Sequence, residues 1–164
     1  MLQVRHGVFE TNSSSVHTFI LSQEPFKGAY PATVVFTFDE FGWEFDSYDD
    51  MWNKASYLYT ALANLYSYEE AKDMLSSMLL PLGIQCEFAP PSKDSYYNMG
   101  YIDHIDECED FIKNVMQSPE TLCQFLFDNR SYIHTGNDNC DESDYPWIDK
   151  ISEDYKYIQL WKTN

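Results

Sequence analysis

The densest chemistry-bearing stretch of the chain is Thr11-Asn12-Ser13-Ser14-Ser15-Val16-His17, with Arg5 and His6 just before it. Hydroxyls, a side-chain amide and the backbone amides of a turn can cradle an anion, with Arg5 supplying the countercharge. The candidate ligand-binding set is therefore Arg5, His6, Asn12, Ser13, Ser14, Ser15 and His17. If the chain is extended from Ser13, then Ser13, Ser15 and His17 share one strand face. A serine and a histidine on one face are the parts of a nucleophile and its base. This makes Ser14, Ser15 and His17 the candidate catalytic residues, with Arg5 and His6 toward an anionic substrate. No oxyanion hole is legible, and adjacent same-face residues seldom have triad geometry. The third reading is a hydrogen-bonded turn, with Asn12 in an Asx-turn, that starts the first strand.

Metal chemistry is less well supplied. His104 and Cys108 are four apart on a predicted helix, a spacing that can form one edge of a zinc site, but Cys123, Cys140 and His134 are not locally paired to complete it. Asn137, Asn139 and Asp141 alternate as a calcium loop begins, yet Glu142 stands where glycine is needed and Ile148 where glutamate is needed. A looser hard-cation set at Asp138, Asp141 and Asp144 remains open. No phosphate-binding glycine loop, dinucleotide fingerprint or HExxH motif occurs, so the reading assigns no metal and no cofactor.

Charge is the strongest bulk property. The 27 acidic residues face 10 Lys and Arg, a formal net charge of -17, in a chain that is 44% hydrophobic and 17% aromatic. The aromatic load argues for an ordered core instead of an acidic tail. The charge argues against direct binding to nucleic-acid phosphates or to an anionic membrane face. The acids are clustered: residues 39–50 hold six, 103–110 hold five and 138–154 hold seven, whereas the first 23 residues hold only Glu10. Such clusters are either a solvated surface or a docking face for a basic partner, because spaced carboxylates can imitate a phosphate row. The candidate partner-binding residues are Asp39, Glu40, Asp46, Asp49, Asp50, Asp106, Glu107, Asp110, Asp138, Asp141, Glu142 and Asp144. Tyr48, Tyr101 and Tyr145 lie near them and would add rigid contact area.

These residues have to be carried by elements. Residues 16–21 and 32–38 are rich in β-branched and aromatic residues and read as strands, and Trp43-Glu44-Phe45 alternates again, suggesting a hairpin that turns near Gly42. Met51, Trp52, Ala55, Leu58, Tyr59, Leu62, Leu65 and Tyr66 recur at helical spacing over about 50–66. Ser67 to Glu70 has capping-box spacing, and a second helix continues until Pro81 and Gly83. Residues 84–88 suggest a short strand, 103–117 a third helix, and Ser118-Pro119-Glu120 the start of a fourth. Tyr132-Ile133-His134 and 157–161 read as further strands. Strands and helices occur in runs. The expected fold is a single α+β domain over 1–164, with an antiparallel or mixed sheet of about five or six strands and about four helices.

No spanning segment is evident, and MLQVRHGVFETNSSS lacks the apolar run of a signal peptide. The four cysteines, Cys86, Cys108, Cys123 and Cys140, form no CxxC and do not make a disulfide scaffold. A cytoplasmic protein with reduced thiols is expected.

The run Arg5-His-Gly-Val-Phe-Glu-Thr-Asn-Ser-Ser-Ser-Val-His17 resembles the opening of a family of short uncharacterised proteins encoded by phages and mobile elements of Gram-positive bacteria. Tyr132-Ile-His-Thr-Gly-Asn-Asp-Asn139 is similar to a second recurrent stretch of that family, and the two cover about 21 of the 164 residues. The resemblance implies an origin, not a mechanism. Together with the charge, it makes the leading expectation an acidic inhibitor of a basic, nucleic-acid-handling host defence protein, anti-CRISPR-like and possessing no catalytic role. The alternative is a small enzyme, or an anion- or nucleotide-binding protein, built on the N-terminal block. The oligomeric state is not legible.

Overall fold

Strand β1 (Ser15–Ser22) is buried along all eight residues, the polar Ser15, His17, Thr18 and Ser22 included, and it has a partner on each side. The computed structural model describes residues 15–42, 46–93, 97–137 and 158–162. Among them, β1 lies between β7 (Tyr132–Asn137) and β8 (Ile158–Lys162), and β4 (Asp46–Tyr48) extends the far edge of β7. All three pairings in this four-stranded sheet are antiparallel.

Two small parallel ladders accompany it. Strand β2 (Thr33–Phe36) pairs with β5 (Gln85–Phe88), and β3 (Glu40–Phe41) pairs with β6 (Tyr101–Ile102). Between the β2 and β5 partners run helices α1 (Met51–Leu65) and α2 (Tyr68–Leu79), the long crossover that parallel pairing requires. Helices α3 (Glu109–Val115) and α4 (Pro119–Phe127) complete the α+β architecture.

The first arm of the hairpin expected near Gly42, β2, is paired with β5. Residues 37–39 then run along α1, with Thr37 and Ser56 hydroxyls 2.6 Å apart and the Asp39 amide donating to Thr60 Oγ1 at 3.2 Å. The chain is thereby delivered to β6, and residues 43–45, the expected second arm, lie outside the described residues. Gly42 serves a close approach: φ is +145°, and a Cβ there would meet Asp103 Cβ at 2.8 Å. The expected helix over 103–117 is broken. Residues 105–108 form a 3-10 turn, the helix proper begins at Glu109, and His104 ahead of both has φ 53°.

Helix α1 is the hub of the core. Lys54 through Ala63 are all buried, so this helix is covered on nearly every side. Phe19 of β1 stacks on Phe111 of α3 with ring centroids 4.0 Å apart and meets Tyr57 of α1 edge-on at 5.7 Å. Two helix starts are set by the serines the sequence singled out. Ser67 caps α2 by accepting from the Glu70 amide and donating to its carboxylate, and Ser118 caps α4 ahead of Pro119. Asp50 caps α1 by accepting from the Trp52 and Asn53 amides at 2.9 and 3.0 Å. Asp50→Ala is expected to lower stability by about 1 kcal/mol, read as a lower urea midpoint with an unchanged slope.

Candidate functional site

Strand alternation places Ser15, His17 and Phe19 on one face of β1, as the sequence spacing implied. Ser15 Oγ is 3.2 Å from His17 Nε2, and the Tyr57 hydroxyl is 2.9 Å from His17 Nδ1. The Tyr57 hydroxyl also lies 3.5 Å from Cys108 Sγ, whose thiol donates to the His104 carbonyl at 3.8 Å. On the other side, Asp103 accepts from the Ser15 and Tyr101 hydroxyls, the latter at 2.8 Å. Burial works to raise the Asp103 carboxyl, but these two donors and the neighbouring histidines outweigh it and hold the group below the usual carboxylate range.

The two ring nitrogens of His17 thus face the Ser15 and Tyr57 hydroxyls. Burial pushes the His17 pKa down to about 4, with the charge and carbonyl of Asp103 acting weakly the other way. Both side chains are fully buried. Ser15 and His17 thus clamp β1 to α1 and to the turn after β6. Arg5, His6, Asn12, Ser13 and Ser14 lie outside the described residues.

The stretches 5–17 and 132–139 are neighbours in space where described. Ser15 is opposite Asn137, and His17 opposite Thr135, across the β1–β7 ladder. Asp46 of β4 is opposite Thr135 in turn, so Asp46, Thr135 and His17 form one cross-strand row.

The acidic candidates divide. Asp39 and Glu40 are exposed at β3, and Glu40 is opposite Tyr101. The Tyr101 amide donates to the Asp39 carbonyl at 3.0 Å and the Asp103 amide to the Phe41 carbonyl at 3.1 Å. The β3–β6 ladder thereby joins the first acidic segment to the second. Asp106 and Glu107 continue from it, exposed, in the 3-10 turn, with Glu107 3.4 Å from the His104 ring, and Asp110 is exposed on α3. Asp46 and Asp49 are exposed beside the four-stranded sheet, whereas Asp50 is committed to its cap. Asp138, Asp141, Glu142 and Asp144 lie outside the described residues.

Sequence reasoning missed Asp103 as the joint between the two segments, and it missed Tyr97. The Tyr97 ring stacks on Tyr101 with centroids 4.6 Å apart, and both are substantially exposed, at 41% and 38%. A cleft of about 260 Å³ opens beside this stack, lined by Phe38, Asp39, Glu40, Tyr97, Asn98 and Gly100. Lys54 was missed as well. Its place three and four residues before Tyr57 and Leu58 on the apolar face of α1 was the available signal.

The predicted zinc edge does not form: His104 precedes the helix in a left-handed conformation, and Cys108 turns inward to Tyr57. Burial raises the Cys108 thiol to about 11. Cys86, Cys108 and Cys123 are free, and no group of three metal-ligating side chains occurs among the described residues. None of their helices is long and apolar enough to cross a membrane. No protein-family model, curated protein or solved structure matches this chain.

Proposed function

We propose that the protein is a phage-derived acidic interaction protein that binds and inhibits a basic, nucleic-acid-handling host defence protein. Its carboxylates take the place of a phosphate row and compete for the same Lys and Arg side chains. The observation that supports this reading best is the junction at β3 and β6. Acids some sixty positions apart in the chain, at 39–40 and 103–107, flank one stacked tyrosine pair. Rigid aromatic area amid charge is the composition of an interface hot spot, with electrostatics guiding encounter and tyrosines supplying contact. The resemblance of residues 5–17 to phage and mobile-element proteins supports a partner in host defence.

The test uses the full chain as bait in host extract, with duplex DNA as competitor. The expected result is a basic protein retained at low salt, displaced by DNA and by added salt, and inhibited in its own nucleic-acid activity. The fourfold variant D39N/E40Q/D106N/E107Q, altered only at exposed positions, is expected to lose at least ten-fold in affinity for that protein. Unchanged affinity of the variant would overturn the reading.

A further inference from the structure

The cleft beside Tyr97 has a more specific chemistry than the acidic surface around it. One wall is aromatic and held in place: Phe38 stacks on Tyr59 at 4.4 Å, and Tyr97 on Tyr101 at 4.6 Å. Two acidic residues, Asp39 and Glu40, line the same cleft. Among the described residues neither forms an ion pair with a lysine, arginine or histidine. Asp39 Oδ1 accepts from the Glu40 amide at 2.9 Å, which fixes its orientation.

The backbone around the opening is closed by three hydrogen bonds: the Ser92 amide to the Asn98 carbonyl at 2.7 Å, Gly100 to Tyr97 at 3.0 Å, and Tyr101 to Asp39 at 3.0 Å. Gly100 makes the floor possible. Its φ is +66°, and a Cβ there would collide with the Asp39 carbonyl oxygen. The result is a preformed recess with flat apolar surface and two acidic residues that no described cation pairs.

We propose that this recess receives an arginine side chain. The proposal rests on the reading above, since the basic partner supplies the arginine. A guanidinium is planar and weakly hydrated, so it can stack against Tyr97 while its N–H groups reach the Asp39 and Glu40 carboxylates. A lysine ammonium has the charge but neither the plane nor the fork, and it is more strongly hydrated. An anionic ligand would meet two like charges.

The experiment is an NMR titration of the full chain, labelled with 15N, with three capped tripeptides: Gly-Arg-Gly, Gly-Lys-Gly and Gly-citrulline-Gly. The arginine peptide is expected to shift the amides of Glu40, Tyr97, Asn98 and Gly100 saturably. The lysine peptide should bind at least ten-fold more weakly, and citrulline, which keeps the plane but not the charge, should leave these amides unmoved. D39N/E40Q and Y97A should each weaken the arginine peptide by ten-fold or more, with the rest of each spectrum reporting an intact fold. Equal response to arginine and lysine, or shifts confined to other surfaces, would overturn the proposal. A parallel titration with polylysine separates the two readings. Polylysine binding without arginine selectivity in the cleft removes this inference and leaves the acidic face standing. Failure of polylysine as well removes both.

Discussion

Acidification from pH 7 to pH 4 is expected to remove about 3 kcal/mol of folding stability through His17 alone. The folded group has its pKa near 4 because burial penalises the imidazolium, whereas in the unfolded chain it returns to about 6.5. Between those values the unfolded state binds the proton and the folded state does not, so stability falls as pH falls through this window and levels off below it. The groups facing the ring are Asp103, His104 and Tyr57; the charge on Asp103 opposes the shift but is outweighed by burial. His134, also lowered by burial, adds in the same direction. Asp50, Asp103 and Asp128 are held below the ordinary carboxylate range, so their contributions begin to fade at the foot of this window and are lost mostly beneath it. Relief of repulsion among the many acids acts oppositely, but it acts equally on a variant. Urea unfolding at both pH values for wild type and His17→Gln isolates the effect. The wild type should lose about 3 kcal/mol more than the variant. Should the variant fold poorly, the ring resonances of His17 in the wild type give the same answer by showing no titration above pH 5. A ring that titrates near 6.5 would remove the argument.

The strand of residues 16–21, the serine caps of α2 and α4, and the α+β class were legible because they depend on local pattern. Ser67, Ser118 and Pro119 act within one helical turn, and the periodicity of Leu58, Leu62 and Leu65 is visible in any window that covers them. The partners of the strands were not legible. Glu40 pairs with Tyr101 and Thr33 with Gln85 across long crossovers, and nothing in either short segment specifies its mate. The setting of Gly42 has the same root: a glycine after acidic residues reads as a turn, whereas the close approach of Asp103 comes from another part of the chain. At the candidate site, the shared face of Ser15 and His17 followed from strand alternation. The role of that pair did not, since it is set by Tyr57 and Asp103, 40 and 86 positions after His17. The acidic clusters were visible as composition, and their division followed only from the fold: Asp50 became a helix cap, while Asp39 and Glu40 met a tyrosine stack.

Lys54 carries the second large effect. Its ammonium donates to the carbonyls of Asp128 and Ser131, both at 2.8 Å, from a side chain that is fully buried. Those carbonyls belong to the turn between α4 and β7. Lys54→Ala removes both charged donors, leaves two buried acceptors unpaired and opens space beside Phe125, whose ring centroid is 5.9 Å from Nζ. The expected loss is about 3 kcal/mol. Lys54→Met keeps most of the stem volume and should lose about 2 kcal/mol, chiefly from the unpaired carbonyls. A second readout separates this from a mere packing defect. Burial lowers the Lys54 pKa to about 8 despite the pull of Asp128, Asp49 and Asp50, against 10.5 in the unfolded chain. Between those values the unfolded state binds more protons, so this group makes the protein more stable as pH rises through that range. The Cys108 and Cys123 thiols, raised to about 11 by burial, act oppositely above pH 9, but equally in both proteins. The stability gap between wild type and Lys54→Met should therefore widen by about 1 kcal/mol from pH 7 to pH 9. A gap that is small and independent of pH would show that the amine is not buried against those carbonyls. The turn they belong to leads into β7, which is paired with β1 opposite His17. Faster hydrogen exchange of β7 amides in Lys54→Met, with α2 unchanged, is the expected sign that the lysine holds this end of the sheet in register.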